Sequence, residues 1–196
     1  MPRIAPIDPS SATGDTATHL AVVRSMLGGT PNLFSTAAHS PAALGALVAL
    51  FTHAGRVSLG ARRGEQIALA IAQRKGCGYC LSAHTALGAL HGVNRETLTA
   101  ARAAESTDPR TSALLTLAVA INEERGHIDD AALDAARGAG LTDAEIVETV
   151  FLVALNVFTN YLNSVAQTTI DFPVVMPEDL GEQVGQRASP PSALTA

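Results

Sequence analysis

Apolar residues recur along this chain at intervals of three and four, which is the period of a helix that buries one face. No stretch keeps the strict apolar–polar alternation that is typical of a half-buried strand. Hydrophobic residues make up 47% of the sequence, but only 4% is aromatic and Trp is absent, so the core has to be built from Ala, Leu, Val and Ile. Such small side chains suit closely packed helices. The sequence therefore predicts an all-α protein.

Capping residues and helix breakers divide this pattern into separate helices. Ser40-Pro41, Asn94 and Asp108-Pro109 are typical helix openings, and Thr142 with Glu145 three residues later forms a capping box. Glycines at several places, including Gly28-Gly29 and Gly76, are typical of helix ends. The predicted helices cover, to within a few residues, 15–27, 41–53, 58–75, 78–91, 94–101, 109–126, 129–138 and 142–169.

Length and charge limit what such a chain does. A sequence of 196 residues closes one good core but hardly two, so we expect a single domain over residues 15–176, with irregular ends at 1–14 and 177–196. A net charge of -5 leaves no Lys/Arg stripe for a phosphate backbone, which argues against nucleic acid as a partner. The first residues contain three prolines and no apolar run, so the expected compartment is the cytoplasm.

The stretch from residue 149 to residue 170 carries no charge and is long enough to cross a bilayer. Asn156, Asn160, Asn163 and Gln167 recur along it at helical spacing, and in lipid they would form an exposed ladder of amides. A helix buried in the core or in a subunit contact fits this pattern better than a membrane span. We expect Asn156, Thr159, Asn160 and Asn163 to be interhelical hydrogen-bond partners.

Both cysteines of the chain lie in one short segment. Cys77 and Cys80 are flanked by glycines at 76 and 78, and His84 follows four residues after Cys80. On a helix that starts at the cysteines, the three side chains lie within roughly 60° of one another. A cysteine in a first helical turn is favoured as thiolate, His84 can take the proton of Cys80, and Cys77 can close a disulfide with oxidised Cys80. The spacing predicts a catalytic dithiol in which Cys80 is the more acidic thiol.

Glu65 joins this group only if the chain reverses. Along one continuous helix it would lie nearly ~30 Å from His84. A turn near Lys75-Gly76 would instead give two antiparallel helices and place Glu65 opposite the region from His84 to Leu87. The carboxylate would then orient the imidazole or relay its proton.

The pattern of Glu65, eleven residues, Cys77, two residues, Cys80, three residues and His84 resembles the signature of the alkyl hydroperoxide reductase D-like (AhpD-like) branch of the carboxymuconolactone decarboxylase family. Ser40-Pro41 with the Ala/Leu run after it resembles the first core helix of that family. The segment from Asn156 to Asn163, with Asp171-Phe172-Pro173, resembles its closing helix. The resemblance implies an AhpD-like helical bundle that spans most of the chain.

The resemblance implies a thiol peroxidase that reduces hydrogen peroxide or organic hydroperoxides. Cys80 would be the peroxidatic thiol, Cys77 the resolving thiol, His84 the base and Glu65 the end of a proton relay. Tyr79 stands where the best-described members have a His, and a phenol that titrates near ~10 is a poor proton carrier. The implied partners are an external dithiol, either a lipoyl domain or a thioredoxin-like protein, and further copies of the chain as a trimer or hexamer. This interpretation calls for no cofactor and no metal.

Several alternatives remain open. Cys77, Cys80 and His84 supply three of four zinc ligands, with Glu65 as a fourth, and free cysteines also occur as plain core residues. Two other functions compete with peroxide reduction: a carboxymuconolactone decarboxylase-type lyase and a non-enzymatic thiol redox sensor. The remaining histidines have no acidic or thiol partner at helical spacing, and we expect them at the surface or at helix ends: His19, His39, His53, His91 and His127.

Overall fold

The computed structural model describes residues 1–178 and 180. Within that range the chain forms nine α-helices and no strand, which confirms the predicted all-α, single-domain architecture. The helices are α1 (Gly14–Leu27), α2 (Asn32–Ala37), α3 (Pro41–Ala54), α4 (Gly60–Lys75), α5 (Gly78–Leu90), α6 (Arg95–Arg102), α7 (Pro109–Glu123), α8 (Asp130–Gly138) and α9 (Asp143–Ala166).

The structure adds helix α2 to the expected helices and ends α7 and α9 three residues early, at Glu123 and Ala166. Helix α2 was not expected, since it is only six residues long and no side chain caps its start, yet five of its residues are buried. Helix α9 ends three residues before the expected position at 169. Gln167 adopts a left-handed conformation (φ 48°) and its N–H binds the carbonyl of Asn163, so the helix stops well before Asp171-Phe172-Pro173.

Helix α4 is the centre of the core. Its residues 66–72 are all buried, because α5, α6, α7 and α9 pack around it. Gly76 then ends the helix in a left-handed conformation (φ 65°) that glycine adopts at little cost. The chain reverses there into α5, which confirms the predicted antiparallel pair and sets Glu65 beside α5.

Helix α9 is the longest helix and closes the bundle. Thr142 and Glu145 form both hydrogen bonds of the predicted capping box, and Arg110 adds a bidentate pair to Glu145 at 2.6 and 2.7 Å. In the described part of the chain, α9 is the one helix that length and composition would allow to cross a membrane, and half of its most apolar window is buried inside the protein. Its outer face keeps a row of exposed apolar side chains: Val147, Val150, Phe158, Tyr161 and Val165.

Both ends of the described chain pack on the bundle. Arg3 and Ile4 donate their N–H groups to the carbonyl of Ala166, and Pro9–Ser11 forms a 3₁₀ turn. Residues 170–177, here called the C-terminal strap, cross the start of α5, where the N–H of Val175 donates to Ser82 Oγ at 2.9 Å. Residue 179 and residues 181–196 of the expected irregular end lie outside the described residues. The domain limits at 15 and 176 stay a prediction.

The buried guanidinium of Arg102, on α6, holds the strap in place. It donates to the carbonyl of Met176 at 2.7 Å and to Gln73 Oε1, on α4, at 3.0 Å. Because Arg102 is only 3% exposed, its bonds to Met176 and Gln73 form in a low-dielectric environment. The strap is therefore part of the folded domain over these residues.

Candidate active site

Cys77 is the N-cap residue of α5. Its extended backbone follows Gly76, and its Sγ accepts the N–H of Cys80 at 3.3 Å, which satisfies one of the free amide donors at the helix start. Cys80 lies in the first turn of the same helix. The two residues are 4% and 2% exposed, and both thiols are reduced.

The environment of the two thiols reverses the expected order of acidity. A hydrogen bond from the Cys80 side chain lowers the pKa of Cys77 against the opposing effect of burial, and the amide of Cys80 and the charge of His84 act in the same direction. Burial, followed by the neighbouring Cys77, raises the pKa of Cys80 above its usual range. The prediction that Cys80 is the more acidic thiol is therefore wrong. The acceptor position at the helix terminus belongs to Cys77.

Glu65 and His84 meet across the antiparallel helices α4 and α5. Glu65 Oε2 lies 2.8 Å from His84 Nδ1, and each side chain is 14% exposed. This confirms the predicted juxtaposition of the two residues. With Nδ1 engaged by the carboxylate, Nε2 is the ring nitrogen left to exchange a proton with the thiol side.

Cys80 and His84 both line a small apolar cavity, whereas Cys77 does not. Its volume of about 30 Å³ is close to the share of one water molecule in the liquid. Besides these two residues, the walls comprise Leu27, Pro31, Leu33, Phe34, Phe51, Tyr79, Ala83, Leu87, Thr159, Asn163 and Phe172. The cavity therefore presents the Cys80 thiol to an occupant about the size of a peroxide group.

Tyr79 is a wall of this cavity and does not carry protons. Its hydroxyl oxygen accepts the N–H of Leu33 at 3.0 Å, and its ring packs edge-on against Phe172 at 5.9 Å. Burial, together with the carboxylate of Asp171, raises the pKa of Tyr79, so the phenol stays neutral. Tyr79 therefore fastens α2 and the strap to α5.

A second, larger cavity of about 440 Å³ lies on the other side of His84. Its polar side chains are those of Thr52, Glu65, His84, His91 and Asn156. The residues shared with the small cavity are Leu27, Phe51, His84 and Leu87. His84 is therefore the polar group that the two cavities have in common.

His91 is a residue of this site that sequence reasoning missed. Its Nε2 lies 3.8 Å from Glu65 Oε1, so the expectation that it has no acidic partner is wrong. His91 does lie at a helix end, as expected, since it follows the last residue of α5. The available signal was its position seven residues after His84, two turns along the same helix face.

The amide side chains of α9 were expected to form hydrogen bonds between helices. This prediction is confirmed for Asn163 and wrong for Asn156 and Asn160. Asn163 donates from Nδ2 to Cys80 Sγ at 3.4 Å, an interhelical contact with the thiol itself. Asn156 and Asn160 instead donate to carbonyls of their own helix, four residues back. Asn163 and Thr159 also line the small cavity. The polar row along α9 therefore marked the active-site wall.

Among residues 1–178 and 180, no group of three or more His, Cys, Asp or Glu side chains is placed to hold a metal ion. Glu65 faces two imidazoles, and Cys80 faces Asn163. The arrangement is suited to thiol and proton chemistry.

Comparison with known proteins gives a family and a fold. Residues 41–107, which contain Glu65, both cysteines, His84 and His91, match the model of the carboxymuconolactone decarboxylase family. Comparison with curated protein sequences finds no match.

Three solved structures show the similarity in fold. A peroxidase-related protein from Silicibacter sp. TM1040 is 21% identical with a TM-score of 0.73, over 85% of this chain and 91% of that one. The alkylhydroperoxidase AhpD core of a peroxidase-related protein from Ralstonia eutropha JMP134 is 20% identical, with a TM-score of 0.75 over 87% and 92%. A cysteine-to-alanine variant of the debrominase Bmp8, in complex with 2,3,4-tribromopyrrole, is 20% identical with a TM-score of 0.73 over 92% and 96%.

Proposed function

We propose that this chain, which belongs to the carboxymuconolactone decarboxylase family and has an AhpD-like fold, is a thiol-dependent peroxidase that reduces hydrogen peroxide or organic hydroperoxides. The observation that carries the proposal is the placement of Cys80. Its thiol lines a peroxide-sized cavity together with His84, while Cys77 lies one turn away on the same helix.

The chemistry follows from these positions. The Cys80 thiolate attacks one peroxide oxygen, the O–O bond breaks, and the leaving oxygen takes a proton from His84 to depart as water or an alcohol. Cys80 is then a sulfenic acid. Cys77 attacks that sulfur, water leaves, and the two thiols have given two electrons as a disulfide.

The pKa of Cys80 is raised by burial, so Cys80 has to lose its proton before it attacks. The two thiols hydrogen-bond to each other, and one route is transfer of the proton to Cys77. The other route leads to His84, which Glu65 holds by Nδ1. Asn163 donates a hydrogen bond to Cys80 Sγ, and this bond favours the thiolate once it forms.

A complete cycle needs an external dithiol. We also propose that the protein is a homo-oligomer. A lipoyl domain or a thioredoxin-like protein would reduce the disulfide by thiol–disulfide exchange. The exposed apolar row on α9 supports self-association as a trimer or hexamer, since a surface of this kind is typical of subunit contacts. Light scattering that shows a monomer at micromolar concentration would contradict the oligomer.

Debromination, which the similar fold of Bmp8 brings to mind, is separated from peroxide reduction by experiment, since a tribromopyrrole and an organic hydroperoxide are both larger than the cavity beside Cys80. A carboxymuconolactone decarboxylase-type lyase needs no thiol. Two thiols are the most reactive groups of this site, which favours peroxide reduction over the lyase. A redox sensor would use the same disulfide but would not turn over.

The test is peroxide consumption by the full chain with dihydrolipoamide as reductant. We expect many equivalents of hydrogen peroxide or cumene hydroperoxide to be consumed per chain, and none by a Cys77→Ser/Cys80→Ser variant. Consumption of a single equivalent would favour the sensor. Release of bromide from 2,3,4-tribromopyrrole, or decarboxylation of carboxymuconolactone, without peroxide turnover would favour one of the other enzymes.

A further inference from the structure

We propose that His91 is the solvent end of a proton conduit that runs from Cys80 through His84 and Glu65. This inference rests on the proposed function, because it assigns a further positioning residue to the same site. It concerns how protons enter and leave a cavity whose thiols are buried.

The carboxylate of Glu65 bridges two imidazoles. Oε2 faces His84 Nδ1 at 2.8 Å, and Oε1 faces His91 Nε2 at 3.8 Å. The side chains of Glu65 and His84 are 14% exposed and that of His91 is 44% exposed, so the series leads outward. A shift of under about 1 Å brings Oε1 and Nε2 to hydrogen-bond distance.

The helix geometry aligns the members of this series. Taking about 100° per residue, His84 and His91 lie about 40° and 20° around α5 from Cys80, so all three share one face. Gly88 lies between the two histidines on this helix. A Cβ at Gly88 would lie only 2.5 Å from Leu98 Cδ2, on α6, and at an ordinary contact distance of 3.6 Å from Glu65 Cβ, so Gly88 lies beside Glu65 and leaves room for Leu98.

Helix α4 also holds His91 in position. Arg62, one turn before Glu65, donates from Nε to the carbonyl oxygen of His91 at 2.9 Å. Arg62 and Glu65 are the charged groups that the described contacts place at His91. Glu65, His84 and His91 all line the larger cavity, which is where the conduit reaches water.

The proton balance is simple. When Cys80 ionises, its proton goes to His84 Nε2, and the Nδ1 proton of His84 goes to Glu65. After the carboxyl group turns, Glu65 gives a proton to His91 Nε2, and His91 releases its Nδ1 proton to water. The same steps run inward when the leaving oxygen of the peroxide takes a proton from His84. At the end Cys80 is a thiolate, Glu65, His84 and His91 keep their charges, and one proton has crossed from thiol to solvent. Both imidazoles have moved their proton from Nδ1 to Nε2, and the inward steps return it.

A matched pair of variants tests the role in turnover. His91→Gln removes the titratable ring, and His53→Gln does the same at an exposed helix end of α3 outside the site. In weak buffer we expect His91→Gln to slow peroxide-driven oxidation of the thiols by about tenfold, less than the ~100-fold or more that a group in direct contact with the reacting atoms contributes. Added imidazole should restore the rate, while His53→Gln should match the unmodified protein throughout. An unchanged rate in His91→Gln, or a loss that imidazole does not restore, would overturn the proposal.

A second measurement needs no peroxide. Nitrogen-15 spectra of the histidine rings show which ring nitrogen carries the proton. We expect Glu65→Gln to change this distribution at both His84 and His91 but not at His53. If the spectra of His91 stay unchanged, the conduit is wrong whatever the enzyme does. If both rings respond but the protein does not turn over peroxide, the conduit stands and the proposed function fails.

Discussion

The two cavities that flank His84 differ in almost every physical respect. The one at Cys80 is small, with apolar walls apart from a few groups, and close in volume to a single water molecule. The one at Glu65 and His91 is more than ten times larger by volume, about 440 against 30 Å³, and carries more polar surface. Peroxide chemistry suits the first cavity and proton exchange suits the second.

This difference has a cost for the thiol. Burial beside the small cavity raises the pKa of Cys80, so its thiolate is costly to form there. In return, the same low-dielectric environment strengthens the hydrogen bonds from His84 and Asn163 to charges that appear during reaction. A hydrogen bond from the Cys80 side chain lowers the pKa of Cys77, whose Sγ also accepts the amide N–H of Cys80 at the start of α5.

The largest expected effect comes from exchanging the thiols one at a time. Because only Cys80 lines the small cavity, Cys80→Ser should abolish the first reaction with peroxide, whereas Cys77→Ser should react once and stop at sulfenic acid. A sulfenate-trapping reagent with mass spectrometry locates the product. The opposite outcome is a label on Cys77 in the Cys80→Ser variant and no label on Cys80 in the Cys77→Ser variant. It would make Cys77 the attacking thiol and remove the small cavity from the mechanism.

The pH dependence of the same variants gives the next largest effect. Since the pKa of Cys77 is lowered and that of Cys80 is raised, the thiolate absorbance at ~240 nm should appear at lower pH in Cys80→Ser than in Cys77→Ser. Below the pKa of Cys77, the rate of its alkylation should fall about tenfold per pH unit. Equal titration midpoints would show that the terminus of α5 does not distinguish the thiols.

The sign of the linked stability change follows from these shifts. The pKa of Cys77 is lower in the folded protein than in the unfolded chain. Its contribution to the free energy of unfolding is therefore fully present above the unfolded pKa, and it is lost as pH falls through the folded pKa. Cys80, with a raised folded pKa, favours folding below the unfolded value and loses this contribution as pH rises above it. Urea unfolding should therefore show a stability that rises with pH below the unfolded thiol pKa in Cys80→Ser, which keeps Cys77, and one that falls with pH above it in Cys77→Ser, which keeps Cys80.

A smaller effect should come from the wall between the cavities. Phe51 lines both cavities and packs edge-on against Phe34 at 5.2 Å. Phe51→Leu should widen the connection and raise the rate with cumene hydroperoxide relative to hydrogen peroxide by about three- to tenfold. The measurement is the ratio of the two kcat/KM values. An unchanged ratio would show that bulky peroxides do not use the larger cavity.

The smallest effect on rate is expected at Tyr79. Tyr79→Phe keeps the ring in the small cavity but removes the hydroxyl, so peroxide turnover should stay within about twofold, because a neutral phenol moves no proton. The N–H of Leu33 loses its acceptor, and the free energy of unfolding should fall by about 1–3 kcal/mol. A large loss of turnover without loss of stability would return Tyr79 to the proton path.

The helices and the Glu65–His84 contact could be predicted because local signals determine them. Ser40, Asn94, Asp108 and Thr142 each cap the helix that they were expected to open. The left-handed Gly76 creates the reversal, and equal distance from that turn brings Glu65 beside His84. The arrangement of residues 65 to 84 could therefore be predicted from helix geometry and one turn.

The remaining features depend on contacts between distant parts of the chain. His91 meets its carboxylate only because α4 packs against α5, and Asn163 reaches Cys80 only because α9 packs against α5. The order of thiol acidity failed for a different reason. Spacing to His84 favoured Cys80, whereas burial and the N-cap position outweigh that spacing and favour Cys77.

The contact between the C-terminal strap and the start of α5 links two distant stretches of sequence in evolution. A Cβ at Gly78 would lie 2.8 Å from Met176 Sδ, so a larger residue at position 78 would make the Met176 side chain move. Position 78 lies between the two cysteines, which means that the strap restricts which residues the redox motif accepts. In relatives of this chain, a larger residue at position 78 should therefore accompany a smaller residue at position 176, and the two positions should change together.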